Sequence, residues 1–198
     1  MNNLEVELRR ASRDGDQGRV QVLLAQGLDP NAQDDVGCSP LMFAAMCGRE
    51  GVMELLLGQP TINIEARSQR GGTALLVAAA GGHLRVVHLL LARGADPAVV
   101  DHEGTTLLMA AAWGGEEAVV DFALNQPNVD LEARSVHGET ALLVAAAQIH
   151  QRVVEQLLAR GANPAVEDHR GNTMLRLAQE NGWVDLATRF FHYPGPSP

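Results

Sequence analysis

The sequence predicts an all-α fold: a solenoid of six helix–turn–helix repeats with short turns or hairpins projecting from one edge. Three observations carry this. A glycine closing a D/S-x-x-G turn recurs at Gly37, Gly71, Gly104, Gly138 and Gly171, spaced by 34, 33, 34 and 33 residues. A Ser or Thr follows each glycine two residues later, at Ser39, Thr73, Thr106, Thr140 and Thr173. An alanine-rich apolar run, a glycine-bearing break and a second apolar run then complete each period, and such a period marks stacked repeats rather than a single globule.

Each element has a local reason. The Ser or Thr after the turn can accept a hydrogen bond from the free N–H groups of the first helix and so start it. The first runs are PLMFAA, ALLVAA, TLLMAA, ALLVAA and MLRLAQ, and the second are VMELLL, RVVHLLL, AVVDFAL, RVVEQLL and VDLATRF, all with apolar residues at helical spacing. Gly48, Gly81, Gly82, Gly114 and Gly115 supply positive-φ freedom to the reversals between them. Helices of about nine residues are marginal alone, so neighbouring repeats must bury one another's faces.

A longer repeat overlies the short one. Residues 59–102 align without gaps on 126–169, with 30 of 44 positions identical, as expected from duplication of a two-repeat block. QPTINIEARS returns as QPNVDLEARS, and LARGADPAVVDH as LARGANPAVEDH. The extra residue in each of these QP linkers predicts a bulged loop.

GxTALLVAAA and GHLRVVHLLLARGADP, repeated with close variants at a period near 33 over nearly the whole chain, make the sequence resemble the ankyrin repeat family. The resemblance implies an amino-terminal capping repeat over 1–33, repeats over 34–67, 68–100, 101–134 and 135–167, a carboxy-terminal capping repeat with a more polar outer helix over 168–190, and a Pro-rich tail over 191–198. One departure stands out. The family's TPLH histidine is replaced by Met42, Leu76, Met109, Leu143 and Arg176, so apolar contacts are expected to hold the turn against the helix.

Composition narrows the function. Apolar residues make up 46% and charged residues 20%, which suits a folded chain. With aromatics at only 4%, the core must come from Ala, Leu and Val. The formal charge is −9 and no stretch gathers Arg as a phosphate backbone demands, so nucleic acid is not an expected partner. All 15 basic residues are Arg; coding-sequence base composition and selection against a ubiquitin-accepting side chain both remain open as reasons. The first ten residues, MNNLEVELRR, lack the apolar core of a secretory signal, and no apolar run reaches the ~18 residues of a membrane span. A cytoplasmic protein is expected, without a membrane association. Cys38 and Cys47 are too few for a disulfide framework and are expected as free thiols.

No residue pattern supports catalysis, a cofactor or a metal. His83 and His150 occupy the slot between helices, where a structural role is expected. His102, His137 and His169 sit at successive turn tips, on the order of 10 Å apart, whereas zinc needs nitrogens at ~2 Å. Glu116–Glu117 and Asp34–Asp35 are adjacent pairs whose carboxylates splay apart, which does not suit acid–base work across a cleft. The repeated Ser and Thr residues lack a nucleophile elbow, and the GG pairs lack the Lys of a phosphate loop.

What remains is surface. Equivalent positions form rows, one holding Met46, Ala80, Trp113, Ala147 and Glu180 and the next Cys47, Gly81, Gly114, Gln148 and Asn181. Resemblance to ankyrin proteins places these rows on a concave groove with the turn tips: Asp35 and Val36, Gln69 and Arg70, His102 and Glu103, Val136 and His137, His169 and Arg170. Trp113 reads as an aromatic anchor among small residues; as an alternative it folds back to cover a helix thinned by glycine. The expected function is a non-catalytic scaffold that is monomeric alone and binds another protein, one with a basic patch suiting the acidic chain. A regulatory or inhibitory subunit of an enzyme, of immunity or effector type, and a self-assembling structural protein are the alternatives.

Overall fold

The computed structural model describes residues 3–183. The second helix of the last expected repeat, from Val184 onward, and the tail 191–198 lie outside them. The described residues form eleven α-helices and no strand. They are α1 (Asn3–Asp14), α2 (Gln17–Ala25), α3 (Pro40–Met46), α4 (Glu50–Leu57), α5 (Ala74–Ala80), α6 (Leu84–Ala92), α7 (Leu107–Gly114), α8 (Glu117–Leu124), α9 (Ala141–Ala147), α10 (Gln151–Ala159) and α11 (Met174–Glu180). The chain divides into two compact units, Met1–His102 and Glu103–Pro198.

In the first unit α1, α3 and α5 stack side by side, with α2, α4 and α6 forming a second layer behind them. The second unit repeats this arrangement, with α7, α9 and α11 in front and α8 and α10 behind. The core is what the composition requires. Leu41, Ala44, Ala45, Leu75, Ala78, Ala79, Val86, Val87 and Leu90 are buried in the first unit, and Ala111, Ala112, Leu142, Ala145, Ala146, Val153, Val154 and Leu157 in the second. Paired alanines let short helices approach closely, which bulky side chains would prevent.

The expected Ser/Thr caps form at four of five positions. Ser39, Thr106, Thr140 and Thr173 accept hydrogen bonds from the N–H groups of Met42, Met109, Leu143 and Arg176. Thr73 caps nothing, and its buried hydroxyl has no hydrogen-bond partner among the described residues.

The reversals correct one expectation about glycine. Gly48, Gly82 and Gly115 have φ of +64°, +73° and +77°, but Gly81 is right-handed (φ −81°) and Gly114 is the last residue of α7. Gly81 is needed for space, because a Cβ there would lie 2.7 Å from His83 Cδ2 and 3.1 Å from Met46 O. In the reversal between α9 and α10 the positive-φ slot is filled by Ile149, at +65°.

The positions of the missing histidine are apolar and buried in four of the five repeats, and hydrogen bonds within the turns add to this. Met42, Leu76, Met109 and Leu143 are buried, as apolar contacts require. Polar side chains at the first turn position also hold four of the five turns closed. Asp34 Oδ1 accepts from Val36 N (3.0 Å) and Cys38 N (2.7 Å), and Asp168 Oδ1 from Arg170 N (2.8 Å) and Asn172 N (2.9 Å). Ser68 Oγ accepts from Gly72 N, and Ser135 Oγ from both His137 N and Glu139 N. Arg176, in the same histidine slot, is exposed and pairs with Glu180.

Candidate protein-binding surface

The candidate surface starts from the turns, because their backbone is already committed. Gln69 N donates to Val36 O and His102 N to Arg70 O in the first unit, while Val136 N donates to Glu103 O and His169 N to His137 O in the second. One hydrogen bond therefore links each turn to the next within a unit. With the main chain tied up in this ladder, the ten tip residues Asp35, Val36, Gln69, Arg70, His102, Glu103, Val136, His137, His169 and Arg170 are all exposed.

Not all of their side chains are uncommitted. Gln69 Nε2 donates to Asp35 O at 2.7 Å. His102 lies over Gly71 and His169 over Gly138, so close that a Cβ on either glycine would come within 2.7 Å of the ring. These two imidazoles pack as struts between turns while keeping an exposed face. No glycine contact of this kind holds His137, since the nearest neighbours of a Cβ on Gly104 are main-chain atoms of Arg134, Ser135 and Val136.

Electrostatics separates the turns. Burial pushes the Asp168 carboxyl up, but the hydrogen bonds from the Asn172 main chain and side chain and from Arg170 outweigh it, and the group titrates below the usual carboxylate range. At the first turn, burial followed by the nearby Asp34 charge pushes the Cys38 thiol up. A thiol in that state is a poor nucleophile. Cys38 and Cys47 are both free. Among the described residues no group of three or more His, Cys, Asp or Glu could hold a metal ion, and no helix is long and apolar enough to cross a membrane.

The predicted rows lie at the other end of the front helices. Seven residues of α-helix span about 10 Å, so Met46 and Cys47 at the end of α3 stand that far from the start of the helix, which the turn of Asp35 and Val36 precedes. In the first unit Met46 is exposed, with Cys47 and Ala80 half-buried. In the second, Trp113 is 57% exposed, Ala147 and Glu180 are exposed and Gln148 is half-buried. Trp113 thus keeps more than half of its surface open. Two edges result, and the half-buried Phe43, Val77, Val144 and Leu177 on the front helices lie between them in sequence.

Sequence reasoning missed Ile149. It is 61% exposed, the most exposed large apolar side chain among the described residues, and holds a left-handed backbone that β-branched residues avoid. The signal was present in the duplication, which sets Ile149 opposite Gly82. Its neighbour His150 places Nε2 3.0 Å from Trp113 O, so Ile149 and Trp113 share one edge of the second unit.

With front and back helices paired in this way and the turns laddered, the arrangement defines a class: stacked helical repeats offering side chains from a fixed backbone. The family signature "Ankyrin repeats (3 copies)" matches residues 8–101 and 93–168, and the chain belongs to the ankyrin repeat family. It is 34% identical over 148 residues to the Ankyrin repeat and KH domain-containing protein mask-1 of Caenorhabditis elegans, covering 74% of this chain and 6% of that protein. It is also 34% identical over 177 residues to the human Ankyrin repeat and SOCS box protein 3, covering 88% of this chain and 34% of that protein. The chain thus spans about a third or less of the length of these relatives.

Proposed function

We propose that this chain is a non-catalytic, cytoplasmic binding module that engages a protein partner through the concave side of its repeats, with Trp113 as the principal anchor. Ankyrin repeats generally mediate protein–protein interaction, and proteins of this family are typically non-catalytic scaffolds. The observation that carries the reading is the exposure of the Trp113 indole beside the small Ala147 and the exposed Ile149. Large aromatic side chains are over-represented among residues that dominate binding energy, and a fixed backbone lowers the ordering cost of association. Met46, Cys47, Gln148 and the ten tip residues complete the surface. The formal charge of −9 favours a partner with a basic patch, chiefly by speeding encounter. Alone, the chain is proposed to be a monomer.

The test compares the wild type with Trp113→Ala after affinity capture has supplied a partner. Weakening of binding by ~2 kcal/mol or more with melting nearly unchanged supports the anchor. A drop in melting temperature with affinity kept would reassign Trp113 to structural cover.

A further inference from the structure

One cavity in the first unit differs from the rest of the acidic surface. It measures about 310 Å³ and is lined by Val6, Arg9, Arg10, Arg13, Asp34 and Phe43. Val6, Arg9, Arg10 and Arg13 are spaced i, i+3, i+4 and i+7 on α1, so they share one helix face. Phe43 comes from α3, which packs beside α1, and Asp34 from the turn before it.

Three guanidiniums face one carboxylate in this lining, a formal excess of two positive charges in a chain of net charge −9. Asp14 pairs with Arg10 at 3.6 Å and with Arg13 at 3.1 Å and reduces the excess to one. Both pairs are solvent-exposed, and such pairs are weak enough for a ligand to compete with them. Arg9 is held differently: it is 5% exposed and its Nη1 donates to Ala32 O at 3.0 Å, fixing it at the cavity wall. Asp34 spends one carboxylate oxygen on the N–H groups of Val36 and Cys38, which hold it in place.

We propose that this cavity is a subsite for a carboxylate flanked by apolar side chains on a partner polypeptide. This rests on the reading of the chain as a protein-binding module and says which part of a partner the first unit takes. Guanidinium forks bind carboxylates by paired, charge-assisted hydrogen bonds. Val6 and Phe43 supply an apolar wall for the flanking residue. The volume, at the low end for ligand clefts, admits one or two side chains and no larger cofactor. Asp34 in the lining repels a dianionic phosphate more than a singly charged carboxylate, which favours the latter.

The experiment is a titration of the full chain, with ¹⁵N-labelled arginine, by capped peptides carrying one aspartate between two leucines. The arginine Nε–H resonances of Arg10 and Arg13 should shift, with binding that weakens as salt is added. The same peptide with asparagine should bind at least about tenfold more weakly. An uncharged peptide with a free carboxy terminus distinguishes a terminal carboxylate from a side-chain one, and either source supports the subsite. Arg10→Gln combined with Arg13→Gln, both at exposed positions, should remove the difference between aspartate and asparagine peptides. Equal binding of those two peptides to the wild type would overturn the proposal without needing any variant to fold, as would inorganic phosphate binding more tightly than the aspartate peptide. A partner lost on Trp113→Ala but indifferent to both arginine changes would sink this subsite and leave the proposed function standing.

Discussion

The Nε2 of His150 lies 3.0 Å from the main-chain oxygen of Trp113, and His83 stands in the same relation to Met46 O, also at 3.0 Å. A carbonyl can only accept, so each ring donates from Nε2. Each histidine precedes the first residue of a back helix and ties it to the end of the front helix one repeat earlier, α10 to α7 and α6 to α3. His150→Ala and His83→Ala should each destabilise by ~1 kcal/mol, the net worth of one hydrogen bond plus some packing. Chemical denaturation checks this, and a neutral pair would show the contacts to be incidental.

Leu75 and Leu142 are both 1% exposed at equivalent places in α5 and α9. Truncation of either to Ala removes packing from a stack that short helices cannot refill, so each should lose ~2 to 5 kcal/mol by denaturation. The duplication makes similar values the expectation.

Thr73 and Thr140 also correspond in the duplicated block, yet their hydroxyls differ. That of Thr140 accepts from Leu143 N at 3.4 Å, while that of Thr73 is buried without a partner among the described residues. Thr140→Val should cost ~1 kcal/mol through loss of the cap. Thr73→Val should be neutral or stabilising, because it removes an unsatisfied polar atom. Paired thermal melts should show a loss for Thr140→Val and none for Thr73→Val.

Ile149 holds φ +65°, a conformation costing a non-glycine residue ~1 to 2 kcal/mol. Glycine relieves that strain at a smaller entropic cost, so Ile149→Gly should stabilise the fold by up to ~1 kcal/mol. If the exposed side chain serves the partner, binding should weaken as stability rises. A gain in stability with no change in affinity would remove Ile149 from the binding edge.

The depressed titration of Asp168 links its turn to pH. A carboxyl whose folded pKa lies below its unfolded value adds stability that is fully present above the unfolded pKa, near 4, and is lost as pH falls through the folded one. Asp168→Asn should therefore flatten the loss of stability on acidification. Melting temperatures of wild type and variant from pH 7 down to pH 3 should converge. A constant gap across that range would rule out the linkage.

The repeat, the helices and most of the core were legible in the sequence. Gly37 and its counterparts, the Ser/Thr positions and the paired alanines each impose a local requirement, and five repetitions leave one consistent architecture. The exposed tips were legible for the same reason, since a turn between stacked helices has nowhere to bury its side chains. Tertiary structure alone decided what lies opposite what. That Gly81 is required by the His83 ring, that Asp34 and Ser135 hold their turns in place of a histidine, and that Thr73 lost the bond Thr140 kept all depend on positions to within a fraction of an ångström. Arg9, Arg10 and Arg13 share one face of α1, and only the fold brings Phe43 and Asp34 against it from beyond the second helix. Local sequence fixes which conformations each residue tolerates, but a cavity exists only where the packing of distant segments leaves one.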